Sequence, residues 1–165
     1  MKFEKLPNDT FNVLYEMLND ISFPKRGVKS NRRNFPLHHS AITFGITKRR
    51  FSNEIGLSAF SERYPEIFEE IVRIGDEIIK VPFSFTSIHV NKNVVCPPHL
   101  DSSNIGNSVI VSFGEYTGCN LVVENEIFET KNQPVMFNGS TQTHWNTNDL
   151  VGTRYSLVFY TNGSK

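Results

Sequence analysis

The chain has little cysteine: two residues, Cys96 and Cys119, in 165. That is too few for a disulfide framework and the wrong pattern for a zinc knuckle, so a reduced intracellular setting, cytoplasm or nucleus, is expected. No apolar stretch approaches the roughly 20 residues of a membrane span, and Met1 to Lys5 lead straight into an amphipathic segment, so neither anchor nor signal peptide is expected. Net charge is also absent, because 17 Lys+Arg balance 17 Asp+Glu, and the sum predicts no polyanionic partner. Internal repeats, linkers and low-complexity tracts are missing, which leaves one domain over residues 1–165 and a monomer as the expectation.

What is present is unevenly placed. Lys25, Arg26, Lys29, Arg32, Arg33, Lys48, Arg49 and Arg50 crowd two short windows, whereas Glu62, Glu66, Glu69, Glu70, Asp76 and Glu77 share a predicted helix. A neutral total therefore hides a possible basic face, although two solvated loops explain the same clusters.

Phe11, Leu14, Tyr15 and Leu18 fall at helical spacing, with Asn8 or Asp9 as N-cap candidates. A second helix is expected over residues 65–79, opened by Pro65 and carrying Ile67, Ile71, Ile74 and Ile78 on one stripe. After Pro82 the pattern turns to short strands at 83–90, 108–114, 120–124, 127–130, 134–137 and 154–160, rich in Val, Ile, Phe and Tyr and broken by Gly and Asn. Helices followed by strands predict an α+β chain that is mostly β: a support region over 1–82, and an antiparallel jelly roll over 83–162 with helices packed on one face.

His99 and Asp101 flank Leu100, so on extended backbone both reach one side while Leu100 faces the core. Joined by His144 they supply two imidazoles and a carboxylate, the donor set that holds non-haem Fe(II) and leaves coordination positions open for O2. Arg154 follows, and Ser156 shares its face of the strand. A planar, permanently charged fork beside a hydroxyl suits a carboxylate such as the far end of 2-oxoglutarate. The competing reading is a buried arginine paired with a local acid. His38, His39 and His89 lack ligand spacing and read as ordinary hydrogen-bonding residues.

The stretch from Asn91 to Gly118, with Cys96-Pro97-Pro98-His99-Leu100-Asp101-Ser102-Ser103-Asn104 and Phe113-Gly114-Glu115-Tyr116-Thr117-Gly118, resembles the 2-oxoglutarate- and Fe(II)-dependent dioxygenases of the TET/JBP class. Phe137-Asn138-Gly139, His144 and the run Gly152 to Tyr160 resemble that family's distal ligand segment, and Asn31-Arg32-Arg33 and Ser40 to Gly45 extend the likeness over residues 30–161. The resemblance implies that His99, Asp101 and His144 bind iron, that Arg154 and Ser156 hold the distal carboxylate of 2-oxoglutarate, and that Arg32 or Arg33 lies near its other end. It further implies that Asn104 contacts a flipped base and that Tyr160 stacks on it. Asn162 stands where the animal cytosine-modifying members carry His, and Gly118-Cys119 where the family often has two glycines.

The implied activity is oxidation of the methyl group of a base, thymine or 5-methylcytosine, with release of succinate and CO2. Duplex DNA would have to present that base flipped or single-stranded, with loops 25–33 and 48–50 on phosphates. Two alternatives carry other expectations: a hydroxylase of a protein side chain or small molecule using the same metal site, and a jelly-roll binding module without turnover.

Overall fold

The structure, a computed structural model, describes residues 3–26, 39–48 and 55–163. In chain order the elements are α1 (Asn12–Asn19), β1 (Lys25–Arg26), β2 (His39–Lys48), β3 (Ile55–Leu57), α2 (Ala59–Arg63), α3 (Pro65–Arg73), a π-helical turn (Ile74–Ile79), β4 (Ser87–Lys92), β5 (Asn104–Thr117), β6 (Leu121–Val123), β7 (Glu126–Phe128), β8 (Val135–Phe137), β9 (His144–Asn146) and β10 (Val151–Asn162). The strands form a major sheet in the order β1-β2-β4-β10-β5-β8, with β3 added to β2, and a minor sheet β7-β6-β9. Every pairing between these strands is antiparallel, as a jelly roll requires.

Period-two alternation divides the major sheet between two environments. Ile42 and Phe44 on β2, Ile88 and Val90 on β4, Val109, Val111 and Phe113 on β5, and Tyr155, Leu157 and Phe159 on β10 join one buried cluster with Leu14, Leu18, Ile67, Ile71 and Ile74 of the helices. The helices thus cover one face of the sheet. Ile110 and Val158, one residue out of phase, meet Leu121, Val123 and Phe137 between the two sheets. His89, Asn91, Arg154 and Ser156 share that inner phase, and this is what places them on the jelly-roll interior.

Several local expectations change. Neither Asn8 nor Asp9 caps α1: Phe11 holds the N-cap position without a side-chain cap, and its ring is buried and stacked on Phe113 at a centroid distance of 4.5 Å. Apolar burial, not a polar cap, fixes this helix entry. The second helix is regular only to Arg73 and then widens into the π turn, ended by left-handed Lys80. That extra residue shifts the stripe, so Ile79 is buried and Ile78 is 38% exposed. A Cβ on Gly75 would stand 2.6 Å from Phe159, so the turn lies against the sheet only because this residue has no side chain.

The helix α2, capped by the Ser58 hydroxyl accepting from the Ser61 N–H, and the strands β1, β2 and β3 were not expected from the pattern, whereas β9 is a later strand that carries His144. In particular, β2 sits beside β4 within the major sheet, although residues 1–82 read as helical and loop support. Among the described residues, no helix is long and apolar enough to cross a membrane.

Candidate metal centre and cavity

His99 lies between β4 and β5, and His144 opens β9. The two pair as an isolated antiparallel bridge, each backbone N–H donating to the other's carbonyl at 3.1 Å. Asp101 is fixed by its own N–H donating to the Gly139 carbonyl at 2.8 Å, and a Cβ on Gly139 would come within 3.1 Å of Asp101 Oδ2. Backbone pairing alone therefore brings together ligand-type atoms that all lie within 4.8 Å of one another.

Each histidine is oriented by a carbonyl two residues before it. Nδ1 of His99 is 2.8 Å from the Pro97 oxygen, and Nδ1 of His144 is 2.9 Å from the Gln142 oxygen. A carbonyl only accepts, so Nδ1 carries the hydrogen and Nε2 of the neutral ring turns its lone pair inward. Those lone pairs face the Asp101 carboxylate, with His144 Nε2 3.1 Å from Oδ2 and His99 Nε2 3.6 Å from Oδ1. Acceptors held this close need a cation or a proton between them, and this donor set fits a divalent metal. Burial pushes the Asp101 carboxyl up, but a proton taken up on His144 Nε2 and donated to it, with the charges that His144, His99 and His89 carry when protonated, outweighs burial and holds the group below the usual carboxylate range.

These residues open onto a cavity of about 610 Å³ whose wall also carries Asn91, Asn104, Arg154, Ser156, Tyr160 and Asn162. All the site residues read from sequence within the described segments therefore meet in one place. Arg154 is 2% exposed, and its Nη2 donates to Thr130 Oγ1 at 3.3 Å, while its buried Nε has no partner. No carboxylate among the described residues pairs with it, which leaves a buried cation and an orphaned donor beside a cavity: the arrangement that a ligand carboxylate completes. Ser156 Oγ accepts from Asn91 Nδ2 at 3.1 Å across the β4–β10 ladder. Asn104 and Asn162 are Cα partners on β5 and β10, two carboxamides side by side at the end of the ladder.

Leu100 does not face the core; it is 49% exposed and lines the cavity, because 99–101 is a bridge and turn, not continuous strand. His89 and Asn91 were missed. Alternation along β4 is the signal that finds them, since Ile88 and Val90 are core and their neighbours must face inward; His89 Nδ1 is tied to Thr43 Oγ1 at 2.9 Å. Cys119 has φ 55 directly after Gly118 at φ 77, so both positions that suit glycine are left-handed here, and the second is filled by a buried thiol. Burial pushes that thiol up despite the charge of Arg154. Arg32 and Arg33, and the basic windows apart from the strand residues Lys25, Arg26 and Lys48, lie outside the described residues.

No protein-family model and no curated protein matches the chain. Solved structures do match it in fold. NgTET1 in complex with 5mC DNA superposes with a TM-score of 0.63 at 18% identity, over 97% of this chain and 70% of that one. An oxidoreductase of the 2OG-Fe(II) oxygenase family from Burkholderia pseudomallei gives 0.62 at 12% identity, over 92% and 81%. A prolyl-4-hydroxylase from Pseudomonas putida gives 0.57 at 13% identity, over 98% and 90%. The antiparallel jelly roll with helices on one face is thus the fold this chain has in common with 2OG-Fe(II) oxygenases.

Proposed function

We propose that this chain is an Fe(II)- and 2-oxoglutarate-dependent dioxygenase of the TET/JBP type that oxidises the methyl group of a nucleic-acid base. One observation carries the reading: an uncompensated buried guanidinium, Arg154, opens on the same cavity as two inward-facing imidazoles and an ionised carboxylate. Each alone has ordinary explanations. Together they match a metal and a dicarboxylic co-substrate, and the fold likeness to 2OG-Fe(II) oxygenases supports the same pairing.

In this reading His99, Asp101 and His144 hold the iron, and their Nδ1 hydrogen bonds keep the metal-facing nitrogens unprotonated. Arg154 and Ser156 take the distal carboxylate of 2-oxoglutarate, with Asn91 orienting the Ser156 hydroxyl; Arg32 or Arg33 takes the other end. The bound metal and co-substrate supply the oxidising chemistry, in which O2 and 2-oxoglutarate give succinate, CO2 and a hydroxylated substrate carbon. The apolar cluster between the sheets, with Phe137 packed against His144 at a centroid distance of 4.9 Å, keeps one side of the site dry.

Asn104, Asn162 and Tyr160 share the cavity wall with the metal centre, an amide pair and an aromatic ring that suit hydrogen bonding and stacking on a base. Phosphates would be met by the basic windows 25–33 and 48–50. One of the solved folds named above is a complex with 5mC DNA, which supports this substrate class. The test is incubation with Fe(II), 2-oxoglutarate and oligonucleotides containing thymine or 5-methylcytosine, read by nucleoside mass spectrometry. A hydroxymethylated base is expected; succinate release without any modified base would sink the nucleic-acid assignment.

A second reading, hydroxylation of a protein side chain or small molecule, is favoured by the fold match to a prolyl-4-hydroxylase over 98% of the chain. Succinate release stimulated by peptide or small-molecule pools, and not by oligonucleotides, is its signature.

A further inference from the structure

Behind Arg154, outside the cavity lining, three buried hydroxyls form a chain. Thr130 Oγ1 accepts from Arg154 Nη2 at 3.3 Å and lies 2.6 Å from Ser112 Oγ, which in turn lies 2.6 Å from Tyr116 Oη. A guanidinium only donates, so the Thr130 oxygen accepts from it and keeps a second lone pair and its own hydrogen for the link to Ser112. The direction of the first link is therefore fixed, and either hydroxyl can donate in the second.

The chain is also anchored through the backbone: Ser112 N–H donates to the Thr130 carbonyl at 2.9 Å, and Asn132 N–H donates to the Ser112 carbonyl at 2.8 Å, stapling the segment after β7 to β5. The Tyr116 ring lies 5.6 Å from the Arg154 guanidinium carbon and 5.0 Å from Lys131 Nζ. Two cations thus gather around one ring while no acid among the described residues pairs with Arg154, which makes this end of the cavity favourable for an anion.

We infer that Thr130, backed by Ser112 and Tyr116, is a positioning residue that aims the Arg154 fork at the distal carboxylate of the co-substrate. This rests on the reading of the site as a 2-oxoglutarate pocket. A guanidinium on a long stem reaches a carboxylate bidentately only if its plane is fixed, and Thr130 fixes it from the side away from the cavity. The role is one of orientation, so it concerns affinity for a dicarboxylic acid and leaves affinity for a monocarboxylic 2-oxoacid unchanged.

The test is Thr130→Val in the full chain, loaded with Fe(II) under anaerobic conditions, with binding of 2-oxoglutarate and of 2-oxopentanoate measured by calorimetry. 2-Oxopentanoate has the same carbon chain and lacks the distal carboxylate. Removing a hydrogen bond to a charged group predicts a dissociation constant for 2-oxoglutarate raised about tenfold, an unchanged constant for 2-oxopentanoate, and recovery in Thr130→Ser. Equal 2-oxoglutarate affinity in wild type and Thr130→Val overturns the inference while leaving the pocket reading intact. Equal loss for both acids also overturns it, because the substitution then damages the cavity as a whole. Wild-type protein that binds 2-oxoglutarate no better than 2-oxopentanoate overturns the pocket reading, and the inference with it.

Discussion

Nε2 of His144 stands 3.1 Å from Oδ2 of Asp101, with the opposite ring nitrogen committed to the Gln142 carbonyl. A neutral imidazole in that tautomer points a lone pair at a carboxylate oxygen. The contact is favourable only with a proton or a metal ion between the two, so the apo site is electrostatically frustrated and metal loading relieves it.

Metal binding should therefore stabilise the fold. At a free metal concentration about 100 times the dissociation constant, linkage gives about 2.7 kcal/mol, a rise of several degrees in Tm that a chelator reverses. His99→Ala and Asp101→Ala should abolish the shift. Trp145, the single tryptophan and the residue after His144, offers a second reading: a paramagnetic divalent ion should quench its fluorescence in wild type and in neither variant.

Arg154→Met separates stability from function. The native guanidinium is 2% exposed without a carboxylate partner, and replacing buried charge by packed apolar atoms is often neutral or stabilising by about 1–4 kcal/mol. Denaturant unfolding of the metal-free variant should show equal or greater stability. Stimulation of turnover by 2-oxoglutarate should be lost, while the metal-induced Trp145 quench remains.

Gly75→Ala tests the helix–sheet contact away from the site. The new methyl would stand 2.6 Å from Phe159 and 3.0 Å from Phe85, and overpacking of this kind costs about 1–3 kcal/mol. Lower stability with unchanged metal affinity is expected; unaltered stability would mean that the π turn is not held as close to β10 as described.

Tyr155 supplies a pH dependence. Burial, with a smaller contribution from Tyr15, raises its phenol from 10.0 to about 12, and its hydroxyl donates to Asn19 Oδ1 at 2.6 Å. The folded state holds this proton more tightly than the unfolded chain. The contribution is thus complete below pH 10 and is lost as pH rises toward about 12. Tyr155→Phe lowers stability at neutral pH through the lost hydrogen bond, yet its profile between those values should fall less steeply than that of wild type.

If the substrate is a nucleic acid, oligonucleotide affinity falls steeply with salt because Lys and Arg release counterions from phosphates. Asn104→Ala and Tyr160→Ala should weaken binding of the methylated base with little change in the salt slope. A flat salt response in wild type would count against phosphate contacts by the basic windows.

What was legible in the sequence was what depends on residue type and short-range spacing. The period-two runs marked strands at β4 through β8 and β10, although the boundaries shifted; β10 extends to Val151 and Asn162 because edge residues pair even where they are not apolar. His99, Asp101 and His144 were recognisable as a group that could hold a metal, and Arg154 with Ser156 as neighbours on one strand face that we propose to bind a carboxylate, because few other chemistries use those groups together. The β2 strand was overlooked although Ile42, Phe44 and Ile46 alternate along it, because Gly45 stands in the middle of the run, yet a Cβ at Gly45 would lie 2.3 Å from the Thr86 carbonyl, so tertiary contact demands the residue that obscures the strand.

By itself the sequence determined the alternation that gives each strand a core face and an interior face, and the chemical identities available on the interior one. Only the tertiary structure decided that those identities meet. Residues as distant as Asn91, His99 and Arg154 are brought to one cavity by β10 lying between β4 and β5 and by the His99–His144 bridge. The same arrangement leaves Arg154 without a carboxylate among the described residues, a property no spacing rule contains, because an absent partner is defined only once every neighbour has its place.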